Sequence, residues 1–117
     1  MKRLLLLFSF LLSLQQGFSQ GWPSKYQGVM LQAFYWDSYE DTHWTKLQSQ
    51  ADVISRSFNS IWVPQSGYCN TGLNGKSMGY NPVWWFNQKS SFGTQEELKQ
   101  MIAAFNARNV AVIEDVV

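Results

Sequence analysis

The feature that most constrains the fold of this chain is the alternation of short apolar runs with segments whose apolar residues recur at helical spacing. Residues 28–34, 60–63 and 110–117 are short and mostly apolar, which is typical of strands buried in a sheet. The apolar residues between the first two runs share one helical face: Trp44, Leu47, Ala51, Ile54 and Phe58. Strands that alternate with helices imply a parallel sheet with right-handed crossovers.

The second helix has the clearest boundaries in the sequence. Thr94 and Glu97 are spaced as a capping box, in which each side chain bonds a backbone N–H of the other residue. Asn109 tolerates the left-handed conformation that ends many helices. The apolar residues of this helix recur at three- and four-residue steps: Leu98, Met101, Ile102 and Phe105. The predicted order is therefore strand, helix, strand, long loop, helix and strand, which defines an α/β fold.

The long loop, residues 65–93, combines aromatic residues with asparagine and glutamine. A loop of this length is uncommon unless it is functional or disordered, and its aromatic content argues against disorder. Aromatic rings stack on the C–H faces of sugars, and amides can bond sugar hydroxyls. The segment Trp84, Trp85 and Phe86 has two interpretations, sugar contact or packing of the loop onto the sheet. Packing is favoured because large aromatics are mostly buried, but Trp84 remains a candidate binding residue.

Candidate site residues follow the strands, because ligands of parallel α/β folds bind at the carboxyl ends of the strands. Tyr35, Trp36 and Asp37 follow the first strand, and the third run ends with Glu114 and Asp115. A carboxylate at such a position is costly unless it is paired. Asp115 is therefore either a binding residue or a structural one that orients a neighbour. Glu114 points to the opposite side of the sheet, so the two do not form a catalytic pair.

The first nineteen residues have the pattern of a secretory signal. Two basic residues precede an apolar run, residues 4–14, which is shorter than the roughly 20 residues of a membrane span. Gly17 and Ser19 are small and suit cleavage before Gln20. We therefore expect a secreted, extracellular or periplasmic protein with no membrane attachment after cleavage. A signal anchor that is never cut is the alternative.

Charge and residue content exclude several classes of partner. Without the two basic residues of the signal, seven basic residues face eight acidic ones, and no basic stripe exists. Nucleic acid and anionic membranes are therefore not expected as partners. We also expect a monomer. Cys69 is the one cysteine and His43 the one histidine, so the sequence offers neither an internal disulfide nor a zinc site.

The chain contains five segments that match one known family in order and spacing: residues 29–37, 61–64, 78–82, 92–98 and 112–117. Together they resemble the α-amylase family, glycoside hydrolase family 13. The matches are to the family's first strand, its second strand, its Gly-Tyr-x-Pro segment, the start of its second helix and the start of its first shared block, Asp-Val-Val-x-Asn-His. Each segment alone is weak evidence for the family, whereas five segments in the right order and spacing are strong evidence.

The resemblance implies an incomplete (β/α)₈ TIM barrel that comprises about the first three strands and two helices. A closed barrel needs roughly 250 residues, whereas the chain has 117. Residues 1–19 are then a signal peptide, and residues 20–117 are the N-terminal fragment of a catalytic domain. The implied activity is hydrolysis of α-1,4-glucosidic bonds in starch-type glucans with retention of configuration.

The resemblance also implies roles for individual residues. Tyr80 matches the tyrosine that stacks on the sugar next to the cleaved bond. Asp115 matches the aspartate of the shared block, which supports the active site without being the nucleophile. The nucleophile, the general acid/base and the calcium-binding Asn follow later in the family. This chain should therefore carry no catalytic residue and no metal ligand, and it should be inactive alone. Calcium is expected only in a longer parent protein.

Departures from the family pattern leave the exact glucan and subfamily open. Gln65 stands where a proline is common, and Asn81 stands where many members have aspartate. Two other functions also remain open. One is a non-catalytic secreted carbohydrate-binding protein, although such modules are usually β-sandwiches. The other is a family member altered for transport or regulation.

Overall fold

The structure, a computed structural model, describes residues 25–117, so the predicted signal peptide lies outside the described residues. Three strands form a parallel sheet: β1 (Met30–Gln32), β2 (Ser60–Val63) and β5 (Ala111–Glu114). The spatial order is β1-β2-β5, and Leu31, Ile61 and Val112 lie side by side in register. The predicted parallel pairing of the three apolar runs is confirmed.

The first crossover contains two short α-helices where the sequence predicts one helix. α1 spans Trp44–Ser49 and α2 spans Ala51–Ile54. They are separated at Gln50, whose N–H donates to the carbonyl oxygen of Leu47 at 3.0 Å, three residues back, as in a 3₁₀ turn. The apolar face continues across this break, because Trp44, Leu47 and Ala51 are all buried.

The second crossover helix, α3 (Gln95–Asn106), begins and ends as predicted. The Oγ1 of Thr94 accepts the N–H of Glu97 at 3.2 Å, and the Oε2 of Glu97 accepts the N–H of Thr94 at 2.7 Å. Asn109 has a left-handed φ of 57° after the helix. The buried residues of α3 are Leu98, Met101 and Phe105.

The long loop is more regular than the sequence predicts. It contains a two-stranded antiparallel sheet of β3 (Tyr68–Cys69) and β4 (Pro82–Trp84), and a 3₁₀-helix, Gly72–Asn74, between them. The two strands are too short to show an alternating pattern, and their register shifts between Tyr68 and Cys69. A pairing of this kind depends on tertiary contacts, so sequence periodicity does not reveal it.

The core lies between the helices and one face of the parallel sheet. Its largest fully buried side chains include Trp44, Phe92, Phe105 and Met101. The rings of Trp44 and Phe92 lie 5.3 Å apart, so Phe92 ties the end of the long loop to α1. No helix within residues 25–117 is long and apolar enough to cross a membrane.

The two outer strands are less buried than the sequence predicts. Met30 of β1 is exposed, and Ala111, Val112 and Ile113 of β5 are only partly buried. Within the part of the chain that the structure describes, each outer strand has a neighbour on one side only. β2, which has a neighbour on both sides, is the strand buried along most of its length.

Candidate functional site

The carboxyl ends of the three parallel strands meet at one edge of the sheet, where the sequence places its candidate residues. Hydrogen bonds extend the sheet beyond the strands at this edge. The N–H of Ala33 donates to the carbonyl oxygen of Trp62 at 2.8 Å, and the N–H of Asp115 donates to that of Val63 at 2.9 Å. The backbone of β2 therefore fixes the position of Asp115.

Tyr80 and Asp115, both predicted to bind substrate, are in direct contact. The Tyr80 hydroxyl donates to the Asp115 Oδ2 at 2.9 Å, across 35 residues of sequence. The ring of Trp36 lies nearly parallel to the Tyr80 ring, with centroids 6.2 Å apart and planes inclined by 8°. We call Trp36, Tyr80 and Asp115 the aromatic–carboxylate cluster. Trp36 is 71% exposed and Tyr80 37%, so both rings are open to a ligand.

The electrostatics of the cluster keep the Tyr80 hydroxyl protonated. Partial burial raises the pKa of Tyr80 above its ordinary value, and the hydrogen bond and negative charge of Asp115 raise that pKa further. At neutral pH the phenol is therefore a hydrogen-bond donor. The bond uses one carboxylate oxygen, Oδ2, and a carboxylate has two acceptor oxygens. The Oδ1 of Asp115 can accept a hydrogen bond from a ligand hydroxyl.

A small pocket of about 200 Å³ lies beside the two rings. It is lined by Trp36, Asp37, Tyr39, Lys76, Ser77, Met78, Tyr80 and Asn81. Its polar groups are held by local bonds, because the Tyr39 hydroxyl donates to the Asp37 Oδ1 at 2.8 Å and Lys76 pairs with Glu40 at 2.7 Å. The pocket therefore offers ring faces and fixed polar atoms together, as small-molecule sites do.

Trp84, the third predicted binding residue, lies apart from this pocket. It pairs with Tyr68 across the β3–β4 sheet and lines a separate, shallow apolar depression formed by residues 83–87. Trp84, Trp85 and Phe86 are 65%, 48% and 98% exposed. The sequence favours packing of these three rings against the sheet. This prediction is wrong for the described residues, because the rings are exposed. Backbone pairing holds the segment, so its side chains need no contact with the core.

Sequence reasoning assigned no role to two buried polar residues, Gln65 and Ser66, that follow β2 and Pro64. Ser66 donates to the Oε1 of Glu114 through its N–H at 2.7 Å and its Oγ at 2.6 Å, and its Oγ also contacts the Oε1 of Gln88. Gln65 accepts the N–H of Val117 on its Oε1 at 3.1 Å. The available signals were their position after a strand and, for Gln65, the departure from the family's proline. Their partners at the end of the chain lie about fifty residues away.

No group of three or more His, Cys, Asp and Glu side chains within residues 25–117 is arranged to hold a metal ion. Asp115 is bonded to Tyr80, and Asp37 to Tyr39. Calcium remains a prediction for a longer chain.

Comparison with models of protein families matches none of them to this chain. Individual proteins do show similarity. The chain is 31% identical over 124 residues to an alpha-amylase of Geobacillus stearothermophilus, which covers 95% of the chain and 22% of that protein. It is 31% identical over 97 residues to a glucan 1,4-alpha-maltotetraohydrolase of Roseateles saccharophilus, covering 76% and 18%. Identity to alpha-amylase 3, chloroplastic, of Arabidopsis thaliana is 30% over 91 residues, covering 76% and 10%.

These comparisons make the chain a distant homologue of alpha-amylases and maltotetraohydrolases. The chain spans about a fifth or less of the length of the three relatives named above, between 10% and 22%. Its three-stranded parallel sheet with helical crossovers is consistent with part of a (β/α)₈ barrel.

Proposed function

We propose that the chain is the N-terminal part of a secreted hydrolase of α-1,4-linked glucans, and that the aromatic–carboxylate cluster binds a glucose ring of the substrate. The observation that carries this proposal is the contact of Tyr80 with Asp115 at 2.9 Å, beside the parallel ring of Trp36. It lies at the carboxyl edge of a parallel sheet, where such folds bind ligands. Similarity to an alpha-amylase over 95% of the chain supports an α-glucan as the substrate class.

Each member of the cluster has a distinct part in binding. The exposed ring of Trp36 or Tyr80 stacks on the C–H face of a sugar, which buries apolar surface on both sides. The Oδ1 of Asp115 accepts a sugar hydroxyl. Because the Tyr80 hydroxyl is tied to Asp115, the ring is already oriented before the glucan arrives. Such preorganisation lowers the entropy cost of binding.

Cleavage is assigned to carboxylates outside this chain. A retaining glycosidase uses two carboxyl groups about 5–5.5 Å apart, one to attack and one to donate a proton. Near the cluster, Asp115, Asp37 and Glu114 are each bonded to a hydroxyl group of the chain itself. The relatives are several times longer than this chain, and we expect further strands of a longer protein to supply the reacting pair. We therefore expect the purified chain to bind glucan without hydrolysing it.

Binding is tested by titrating maltoheptaose into the purified chain and following tryptophan fluorescence. Tyr80→Ala and Asp115→Ala should each weaken binding, because one removes a stacking face and the other removes both the acceptor and the anchor of Tyr80. Tyr68→Ala is the matched control, since Tyr68 is an exposed tyrosine in β3. Equal affinities in all four proteins contradict the assignment of the site.

Hydrolysis is tested by two independent observations. The purified chain should release no reducing ends from soluble starch, and measurable release would refute the assignment of cleavage to other residues. The source DNA should continue in frame beyond Val117 with one residue and then Asn-His. A stop codon in that place favours a non-catalytic product.

Export rests on the pattern of residues 1–19. Expressed with this segment in a host that secretes proteins, the mature chain should begin at Gln20. Amino-terminal sequencing of the recovered protein distinguishes cleavage from the signal-anchor alternative. Under that alternative the protein stays in the membrane fraction and its sequence begins at Met1 or Lys2.

A non-catalytic starch-binding role is the second candidate function. The exposed segment Trp84, Trp85 and Phe86 favours it, because it offers a second aromatic surface away from the cluster. Under this alternative, retention on insoluble starch survives Tyr80→Ala and is lost when Trp84 and Phe86 are both replaced by alanine. The proposed hydrolase site requires the reverse pattern.

A further inference from the structure

Gln65 is a buried polar side chain next to the segment that carries Tyr80, and the proposed function gives it no role. It follows Pro64 at the carboxyl end of β2, and it is 2% exposed. Its Oε1 accepts the N–H of Val117 at 3.1 Å. Gln65 therefore holds the segment that follows Asp115.

The other side of Gln65 lies against the segment that carries Tyr80. Gly79 has a φ of +104°, and a Cβ atom added there would lie 2.6 Å from the Cβ of Gln65 and 3.2 Å from its Cγ. The Gly79 backbone is therefore in direct contact with the Gln65 side chain. Since Gly79 directly precedes Tyr80 in the chain, Gln65 contacts the segment that carries the tyrosine.

We propose that Gln65 is the positioning residue of the aromatic–carboxylate cluster, because it joins the Gly79–Tyr80 segment to the segment that follows Asp115 and so sets their separation. The Asp115 segment is then fixed at two points, by the carbonyl oxygen of Val63 and by Gln65. Tyr80 is fixed through the contact at Gly79. The inference rests on the proposed function only where glucan binding is concerned, since the geometry of the pair is measurable without a ligand.

Two substitutions distinguish a positioning role of Gln65 from a role in which its side chain only fills space in the core. Gln65→Met keeps an unbranched side chain of similar length against Gly79 and removes the acceptor for Val117. Val117→Pro removes the donated N–H from the opposite end of the same bond. Val117 is 51% exposed, so this second variant tests the bond even if Gln65→Met fails to fold. Val117→Ala keeps the N–H and serves as its control.

The readout is the titration of Tyr80, followed by NMR of chains labelled at tyrosine ¹³Cζ, with the signal assigned by its loss in Tyr80→Phe. Asp115→Ala shows how far the pKa of Tyr80 falls when the partner is absent. In Gln65→Met and Val117→Pro we expect at least half of that fall. In Val117→Ala, which keeps the donated N–H, Tyr80 should titrate as in the wild type. Wild-type titration in both test variants, with cooperative unfolding retained, overturns the proposal.

Maltoheptaose binding, measured on the same variants, separates this inference from the proposed function. A wild-type chain that does not bind maltoheptaose refutes the proposed function, while the Tyr80 titration still decides the role of Gln65. A wild-type chain that binds, with affinity reduced several-fold in Gln65→Met and Val117→Pro, supports both. Undiminished binding in both variants shows that Gln65 has no part in the site.

Discussion

Replacement of Gly79 by alanine is the perturbation for which the structure gives the clearest expectation. Gly79 has a φ of +104°, which residues with a side chain rarely adopt. The added Cβ would also meet the Cβ of Gln65 at 2.6 Å, a distance that requires one of the two segments to move. Gln65 is buried and tied to Val117, so it has little room to give way.

The magnitude follows from these two contributions. Backbone strain of this kind costs about 1–3 kcal/mol, and overpacking of a buried contact costs about 1–3 kcal/mol more. The free energy of unfolding should therefore fall by about 2–6 kcal/mol, a large part of the roughly 5–15 kcal/mol typical of a domain. Gly75 is the matched control, with a φ of +67° and no atom within 4 Å of an added Cβ. Gly75→Ala should cost only about 1–2 kcal/mol, the strain alone.

The assay is equilibrium urea unfolding of both variants and the wild type, followed by tryptophan fluorescence. The midpoint of Gly79→Ala should lie well below that of Gly75→Ala. Maltoheptaose binding by the folded fraction should also weaken, because Tyr80 follows Gly79 directly. Equal losses of unfolding free energy in the two variants would refute the tight contact between Gly79 and Gln65.

Three further predictions concern the helix, the core and the alkaline range. Thr94→Ala removes one half of the capping box of α3 and should lower the free energy of unfolding by about 1 kcal/mol in a urea titration, whereas no change would mean that the cap contributes nothing. Phe105→Ala empties a fully buried site and should cost about 3–5 kcal/mol by the same assay; a loss below 1 kcal/mol would contradict the assigned core. The folded-state pKa of Tyr80 is raised, so its contribution to stability should be complete below about pH 10 and lost as the pH rises through the folded pKa. Tyr80→Phe should remove that part of the alkaline loss, and an unchanged profile would refute the assignment.

The helix and strand pattern was readable from sequence because its signals are local. Thr94 and Glu97 are three residues apart, and the buried face of α1 and α2 recurs at three- and four-residue steps. The order of the parallel strands also follows from general rules of connection. The pairing of Tyr68 with Trp84 could not be predicted from the sequence, because two strands this short show no periodic pattern.

The candidate site was readable in part. Tyr80 and Asp115 were found through the resemblance, and Asp115 also through its position after a strand; the structure brings the two together. Gln65 and Ser66 were missed, because a buried glutamine or serine has no distinctive spacing and its partners lie far along the chain. The sequence also predicts Trp84 as a binding residue, whereas the structure places it in a separate depression. Sequence alone cannot distinguish two neighbouring surfaces of one loop.

Titration of maltoheptaose into the ¹⁵N-labelled chain, followed by two-dimensional ¹H–¹⁵N NMR spectra, tests most directly whether the aromatic–carboxylate cluster binds α-1,4-linked glucan. We expect the largest shifts at the indole N–H of Trp36 and at the backbone amides of Tyr80 and Asp115, and their loss in Tyr80→Ala. Shifts confined to Trp84, Trp85 and Phe86, or no shifts at millimolar sugar, would contradict the proposed site.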